Sequence, residues 1–268
     1  MRFTPRMWYN FQRMNAIGIL DSGLGGYTVF QALHQAYPDA AFVFLADQAN
    51  APFGDKTQTE VRTIAIDALV WFEAQGIQEV IIACNTISAQ VLPEIRRLFP
   101  HMTLTGIIEM TANQARVLSA HTVAVIATTG TTRTNAYPLT INHVNPTIQV
   151  ESIALPRLVP LIEGLAPTET IEAYLKPLIE PIRADVLVLA CTHYPLVQAS
   201  LRRYFTGAIV DSIDPIVTAL ADRALPIGPC KVYTTYNPSY LKHQIDVLFS
   251  TPIDVLLTSV THADRLGE

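Results

Sequence analysis

Two short segments of this chain repeat each other 107 residues apart, and each closes on a cysteine. Val80-Ile81-Ile82-Ala83-Cys84-Asn85-Thr86 and Leu187-Val188-Leu189-Ala190-Cys191-Thr192-His193 both read as buried strands opening into a small polar turn. At the same offset, Ile19-Leu20-Asp21-Ser22-Gly23 falls on Ile126-Ala127-Thr128-Thr129-Gly130. Two strand–turn units kept at one offset predict an internal duplication that folds into two related lobes. If the lobes face each other, so do the two thiols. That arrangement suits a reaction at both faces of one carbon.

The pattern from Ile17 onward is strand, turn, helix, repeated. Apolar strand candidates fall at 17–20, 41–46, 79–84, 103–108, 122–127, 148–154, 185–190, 208–211, 231–235 and 253–259. Between most of them lie helical patterns, clearest over 58–75, where Val61, Ile64, Ala65, Ala68, Leu69 and Phe72 recur at helical spacing. Thr57 followed by Glu60 predicts a capping box at its start, and Gly76 its stop. Strands written as near-continuous Val/Ile/Leu runs and alternating with helices give an α/β chain with largely parallel sheets covered on both faces. Ligands in such sheets bind beyond the carboxyl ends of the strands. A lobe boundary is expected near 109–121 and the end of the second lobe near 220. The strand–helix–strand of 231–259 could complete either lobe.

Half of the 268 residues are hydrophobic and 15% are charged, so a disordered chain is excluded. A net charge of −5 gives no basic footprint, and no nucleic-acid partner is expected. No apolar run is long enough to span a membrane. Three cysteines without metal-type spacing point to reduced thiols in a cytosolic compartment and to no metal site. Residues 1–15 stand apart: Arg2, Arg6 and Arg13 occur without an acid, among Trp8, Tyr9 and Phe11. They read as an N-terminal extension, or as an arm that docks on the body.

Asp21-Ser22-Gly23-Leu24-Gly25-Gly26 lacks the spacing of a dinucleotide loop, and an acid precedes its glycines, so a tight turn presenting Asp21 and Ser22 to the cleft is the better reading. Cys84 and Cys191 sit at matching strand ends, where the following backbone amides can stabilise a thiolate. Cys230 lies outside the repeat and reads as structural. His193 is placed as a proton partner or orienting group for Cys191; a thiol hydrolase would use one such pair and leave the second cysteine unexplained. Asp47 and Glu163 are acids at element ends, and Pro52-Phe53-Gly54 is a turn by composition.

Taken together, Asp21-Ser22-Gly23, Pro52-Phe53-Gly54, Cys84-Asn85-Thr86, Thr131 with Tyr137, Leu158-Val159-Pro160-Leu161-Ile162-Glu163 and Cys191-Thr192-His193-Tyr194-Pro195-Leu196 resemble the glutamate racemase family of the cofactor-independent aspartate/glutamate racemases. The likeness runs from about Ile17 to the C-terminal segment. It implies two pseudo-symmetric α/β lobes, one of 16–111 with 221–268 and one of 112–220, with the active site between them. It also implies Cys84 and Cys191 as the catalytic pair, Cys84 acting on D-glutamate and Cys191 on L-glutamate. Substrate would be held by Asp21, Ser22, Phe53, Gly54, Asn85, Thr86, Thr192 and His193, with Asp47 and Glu163 as supporting acids. No cofactor is implied. The expected role is supply of D-glutamate for peptidoglycan in a bacterial cytoplasm, with a homodimer left open.

The chain departs from the family at Ala46, Asn50, Phe53, Glu109-Met110 and Ala127, where Gly, Arg, Tyr, Pro-Gly and Gly are usual. An aspartate racemase, or a weakened paralogue that inhibits a protein partner, are the rival readings.

Overall fold

All ten apolar runs become strands in the computed structural model, which describes residues 14–117 and 120–260. β1 (Ile17–Asp21), β2 (Phe42–Ala46), β3 (Glu79–Ile82), β4 (Thr103–Gly106), β9 (Lys231–Thr234) and β10 (Val255–Leu257) form a six-stranded sheet in the order β10-β9-β2-β1-β3-β4. β5 (Thr122–Ala127), β6 (Gln149–Ala154), β7 (Val186–Ala190) and β8 (Ala208–Val210) form a four-stranded sheet ordered β6-β5-β7-β8. Every pairing in both sheets is parallel. The order β2-β1-β3-β4 repeats as β6-β5-β7-β8, so the sequence repeat is an architectural one. Strand–helix–strand 231–259 joins the first sheet, β9 pairing with β2.

Helices on both faces explain the apolar strands: β1, β2 and β7 are buried along their whole length. The helix Gln58–Ala74 begins as the sequence predicts. Thr57 and Glu60 form a reciprocal capping box, and Gly76 follows with φ +82°, a conformation that costs a side chain with a Cβ.

β3, β4, β8, β9 and β10 stop one or two residues before the ends of their apolar runs, and for β3 and β4 the cause is visible. β3 ends at Ile82 because the N–H groups of Ala83 and Cys84 both turn to the Leu20 carbonyl, at 3.0 and 3.2 Å, which swings the chain out of the ladder and presents the thiol. β4 ends at Gly106 because Ile107 already accepts from Thr111 as the next helix, Ile108–Val117, begins.

In each sheet the chain leaves the first strand to one side and returns to the other. The loops after β1 and β3, and after β5 and β7, therefore diverge and open a crevice. Asp21 and Cys84 stand at the first crevice, Thr128 and Cys191 at the second. One apolar cluster joins the lobes behind them, running from Tyr27, Phe30 and Phe44 through Ile107 and Ala112 to Val123 and Val188. Of the N-terminal extension, residues 1–13 lie outside the described residues. Met14 donates its N–H to the Gln75 carbonyl at 2.8 Å.

The capping box should carry a measurable share of stability. Thr57→Ala removes the hydroxyl that accepts from the Glu60 N–H, and should cost about 1 kcal/mol in urea unfolding while leaving the fold unchanged. An unchanged midpoint would show that the helix start is held by packing alone.

Candidate active site

The two crevices close on a single cavity. Cys84 and Cys191 both line it, with Ser22, Phe53, Gly54, Asn85, Thr86, Thr192 and His193. Of the other sequence candidates, Asp21 and Glu163 lie directly behind the lining and contact it. Among the described residues lining the cavity none is Lys or Arg. A bound carboxylate would have to be met by hydroxyls, amides and the His193 imidazole.

Cys191 has a built proton partner. Its Sγ lies 3.7 Å from His193 Nδ1, and His193 Nε2 lies 2.7 Å from Glu163 Oε1. Nε2 also lies 3.1 Å from the Gly25 N–H, which donates toward it, so it stands between a backbone donor and the carboxylate, and its contact with Glu163 is a hydrogen bond when Nε2 carries the proton. The proton between Nδ1 and Sγ is then the one that can move. Burial pulls the His193 pKa down, but hydrogen bonding and charge from Cys191 and Glu163 outweigh it and hold it well above the usual 6.5. Burial likewise pushes Glu163 up, and is overcome by His193, Gln244 and the Leu24 N–H, which leave it below the ordinary carboxylate range. The pair thus sets an imidazole tied to a carboxylate beside the Cys191 thiol.

Cys84 is set differently. Burial pushes its thiol strongly up, and the Asp21 charge adds to this; the Ile87 and Thr86 amides oppose them without prevailing. Asp21 is fully buried, accepts from the Gly23 N–H at 3.1 Å and from Thr192 Oγ1 at 3.0 Å, and is itself raised by burial. One thiol is held as an acid, the other beside a base.

Contacts between the lobes fix the remaining polar groups. Tyr137 donates to Asn85 Oδ1 at 2.6 Å, which leaves the buried Asn85 Nδ2 without a partner. Thr86 Oγ1 lies 3.0 Å from Thr128 Oγ1. The glycines of the first turn are explained by the same approach. A Cβ on Gly23 would strike Glu163 Oε1, and one on Gly25 would strike His193 Nδ1 and Thr192 Oγ1. They allow the second lobe to dock.

Asp47 is not brought to the cavity. Its carboxylate accepts from Thr235 Oγ1 at 2.7 Å and from Asn50 Nδ2 at 3.0 and 3.2 Å, bracing the end of β2 against the turn after β9. Cys230 lies apart too, donating to the Ala40 carbonyl at 3.4 Å. Other lining residues escaped the sequence reading as site residues: Thr128, Thr129, Leu155, Pro156, Val159 and Pro160. Thr128 carried a signal, since it is the repeat mate of Asp21. Gln48 and Gln244, which reach Glu163, carried none.

The model of the Asp/Glu/Hydantoin racemase family matches residues 19–220 of this chain. The glutamate racemase of Gloeobacter violaceus is 37% identical over 220 residues, 80% of this chain and 82% of that protein. That of Aquifex aeolicus is 31% identical over 252 residues, covering 91% and 97%. Among solved structures, the glutamate racemase of Francisella tularensis in complex with D-glutamate superposes with a TM-score of 0.81 at 26% identity, covering 92% of this chain and 98% of that one.

The Glu163–His193 contact has a pH signature. His193 is raised above its unfolded value, so its stabilisation is fully present below about pH 6.5 and is lost as pH rises through the folded pKa. Glu163→Gln removes the charge, so the folded His193 pKa should fall, and the stabilisation should be smaller and be fully lost at lower pH. Denaturation curves across pH, with the His193 ring titrated by NMR, check this; an unmoved His193 pKa would refute the assignment.

Proposed function

This chain belongs to the Asp/Glu/Hydantoin racemase family, and on that premise we propose that it interconverts L- and D-glutamate by a two-thiol, cofactor-independent 1,1-proton transfer. It is an amino-acid racemase. The observation that carries the mechanism is the pair of thiols lining one cavity from the ends of duplicated strands, one beside an imidazole and one held protonated by burial.

Cys191 as thiolate takes the α-proton of L-glutamate, and in a second step the Cys84 thiol delivers a proton to the opposite face of the carbanion. The return reaction starts with the roles exchanged. His193 and Glu163 carry the charge change on the Cys191 side. The α-proton is a weak acid, so the carbanionic transition state must be met by oriented donors in a closed, dry site. Ser22, Asn85 Nδ2, Thr86, Thr192 and the amides of Phe53 and Gly54 are the donors within reach of the cavity, and Asp21 is the counter-charge for the ammonium. Phe53 has no hydroxyl to offer, so the Phe53-Gly54 turn acts through its backbone. Asp47 acts here only as a brace.

The lobes of this reading are 16–111 with 221–268, and 112–220. Its product serves peptidoglycan synthesis in a bacterial cytoplasm, and a homodimer is the assembly to test. Among the described residues no helix is long and apolar enough to cross a membrane.

Cys84→Ala and Cys191→Ala should each abolish racemisation, followed by circular dichroism with no cofactor added. Near-normal turnover in either variant would sink the two-thiol mechanism.

In D₂O, product from the first turnovers should carry deuterium at Cα while unreacted substrate carries little, because the delivered proton comes from a thiol equilibrated with solvent. Mass spectrometry reads this. Product that retains the substrate's own hydrogen would point to a single base swinging between faces.

A further inference from the structure

Glu163 is held from two directions. From one side come His193 Nε2 and the Leu24 N–H, both to Oε1, at 2.7 and 2.8 Å. From the other comes a side chain that the mechanism has not used. Gln244, on the helix Pro238–Phe249, donates through Nε2 to Glu163 Oε2 at 2.8 Å and to the Glu163 carbonyl at 2.6 Å. Its own Oε1 accepts from Gln48 Nε2 at 2.9 Å, whose Oε1 accepts from Thr234 Oγ1 at 3.0 Å. The Tyr236 N–H donates to that hydroxyl at 3.2 Å.

Every link in this chain has one sense. A backbone N–H fixes Thr234, Thr234 fixes which end of the Gln48 amide accepts, and Gln48 fixes Gln244. The terminal NH₂ is thereby obliged to face the carboxylate. Gln244 occupies the apolar stripe of its helix between Leu241 and Ile245 and is fully buried. Burying an amide there is unfavourable unless its partners are supplied. The partners supplied all lead to Glu163.

We propose that Gln244 is a positioning residue for the Cys191 half of the reaction: it holds the Glu163 carboxylate so that His193 keeps its Nε2 proton there and turns Nδ1 to Cys191 Sγ. The C-terminal segment of the first lobe thereby acts on a thiol of the second. Cys84 makes no hydrogen bond to a member of this chain of bonds and feels it only at longer range, through the Asp21 charge. The inference rests on the two-thiol reading above, with Cys191 serving L-glutamate.

The test is the substrate deuterium isotope effect on kcat/KM, measured in both directions for Gln244→Met. Loss of one hydrogen bond to a charged group should lower kcat/KM about tenfold. The fall is the same in both directions, because enantiomers have equal free energy. The barrier raised is the one for Cys191. The isotope effect with α-deuterated L-glutamate should therefore grow, and that with α-deuterated D-glutamate should shrink. Looser packing alone would lower the rates without moving the two effects in opposite senses, and that result would overturn the proposal, as would wild-type behaviour.

If Gln244→Met fails to fold, Gln244→Glu, of the same size, carries the test. The titratable groups facing the new carboxyl are Glu163, His193 and Tyr240, with Asp21 at longer range. Burial and Glu163 raise its pKa, and it can donate to Glu163 only when protonated. Its rate relative to wild type should rise as pH falls from about 8 to about 6; a ratio independent of pH overturns the proposal. A wild-type protein that does not racemise glutamate without cofactor refutes the two-thiol reading itself. A racemising wild type with parallel isotope effects in the variant refutes only the role of Gln244.

Discussion

The structure turns on one carboxylate placed where the two lobes meet. Glu163 belongs to the helix Leu158–Glu163 of the second lobe, yet its donors come from both: His193 from its own lobe, Leu24, Gln48 and Gln244 from the other. Taking an ion out of water costs several kcal/mol. Each hydrogen bond to a charged group returns about 1.5–3 kcal/mol. Four such donors, one of them an imidazole whose pKa is raised, are enough to keep the carboxylate ionised, which agrees with its lowered pKa. With any donor missing the balance would tilt toward protonation, and His193 would lose the partner that orients it. The glycines at 23 and 25 serve the same contact, because any side chain there would occupy the space of Glu163 or His193.

The duplication is symmetric in its backbone and asymmetric in its chemistry. Both cysteines follow the strand that flanks the switch point of their sheet, and both are buried. Cys191 is followed two residues on by an imidazole tied to a carboxylate, whereas the equivalent position after Cys84 is Thr86, whose hydroxyl meets Thr128 of the other lobe. The Asp21 charge pushes the Cys84 thiol up further. A symmetric pair would have both thiols in one protonation state. Here the surroundings are unequal, an imidazole beside Cys191 and the Asp21 charge near Cys84.

Closure of the cavity follows from contacts made in pairs across the lobe boundary. Thr192 donates to Asp21, Tyr137 to Asn85, Thr86 meets Thr128, and the Gly54 turn packs on Thr128. These join the ends of β1 and β3 to the ends of β5 and β7. The apolar cluster running through Ile107 and Ala112 holds the sheets at this spacing from behind. The polar groups that line the cavity are therefore positioned by the same bonds that join the two lobes around it.

Much of this was legible in the chain itself. Strand runs, the capped helix after Thr57 and the two thiols at one offset are local patterns, written by period and by turn chemistry, and local patterns survive folding. The repeat predicts two related lobes, and in the structure β5 and β7 stand to each other as β1 and β3 do. What the sequence left undecided is which acid reaches a thiol. Asp47 and Glu163 carry the same signature, an acid at an element end. Only packing separates them: β9 closes over Asp47 with Thr235, while the second lobe swings Glu163 against Leu24, His193 and Gln244. Gln244 lies 81 residues from Glu163, and no periodicity links them. A hydrogen bond needs atoms within about 3 Å, a distance fixed by how whole elements pack and not by any residue's neighbours in the chain.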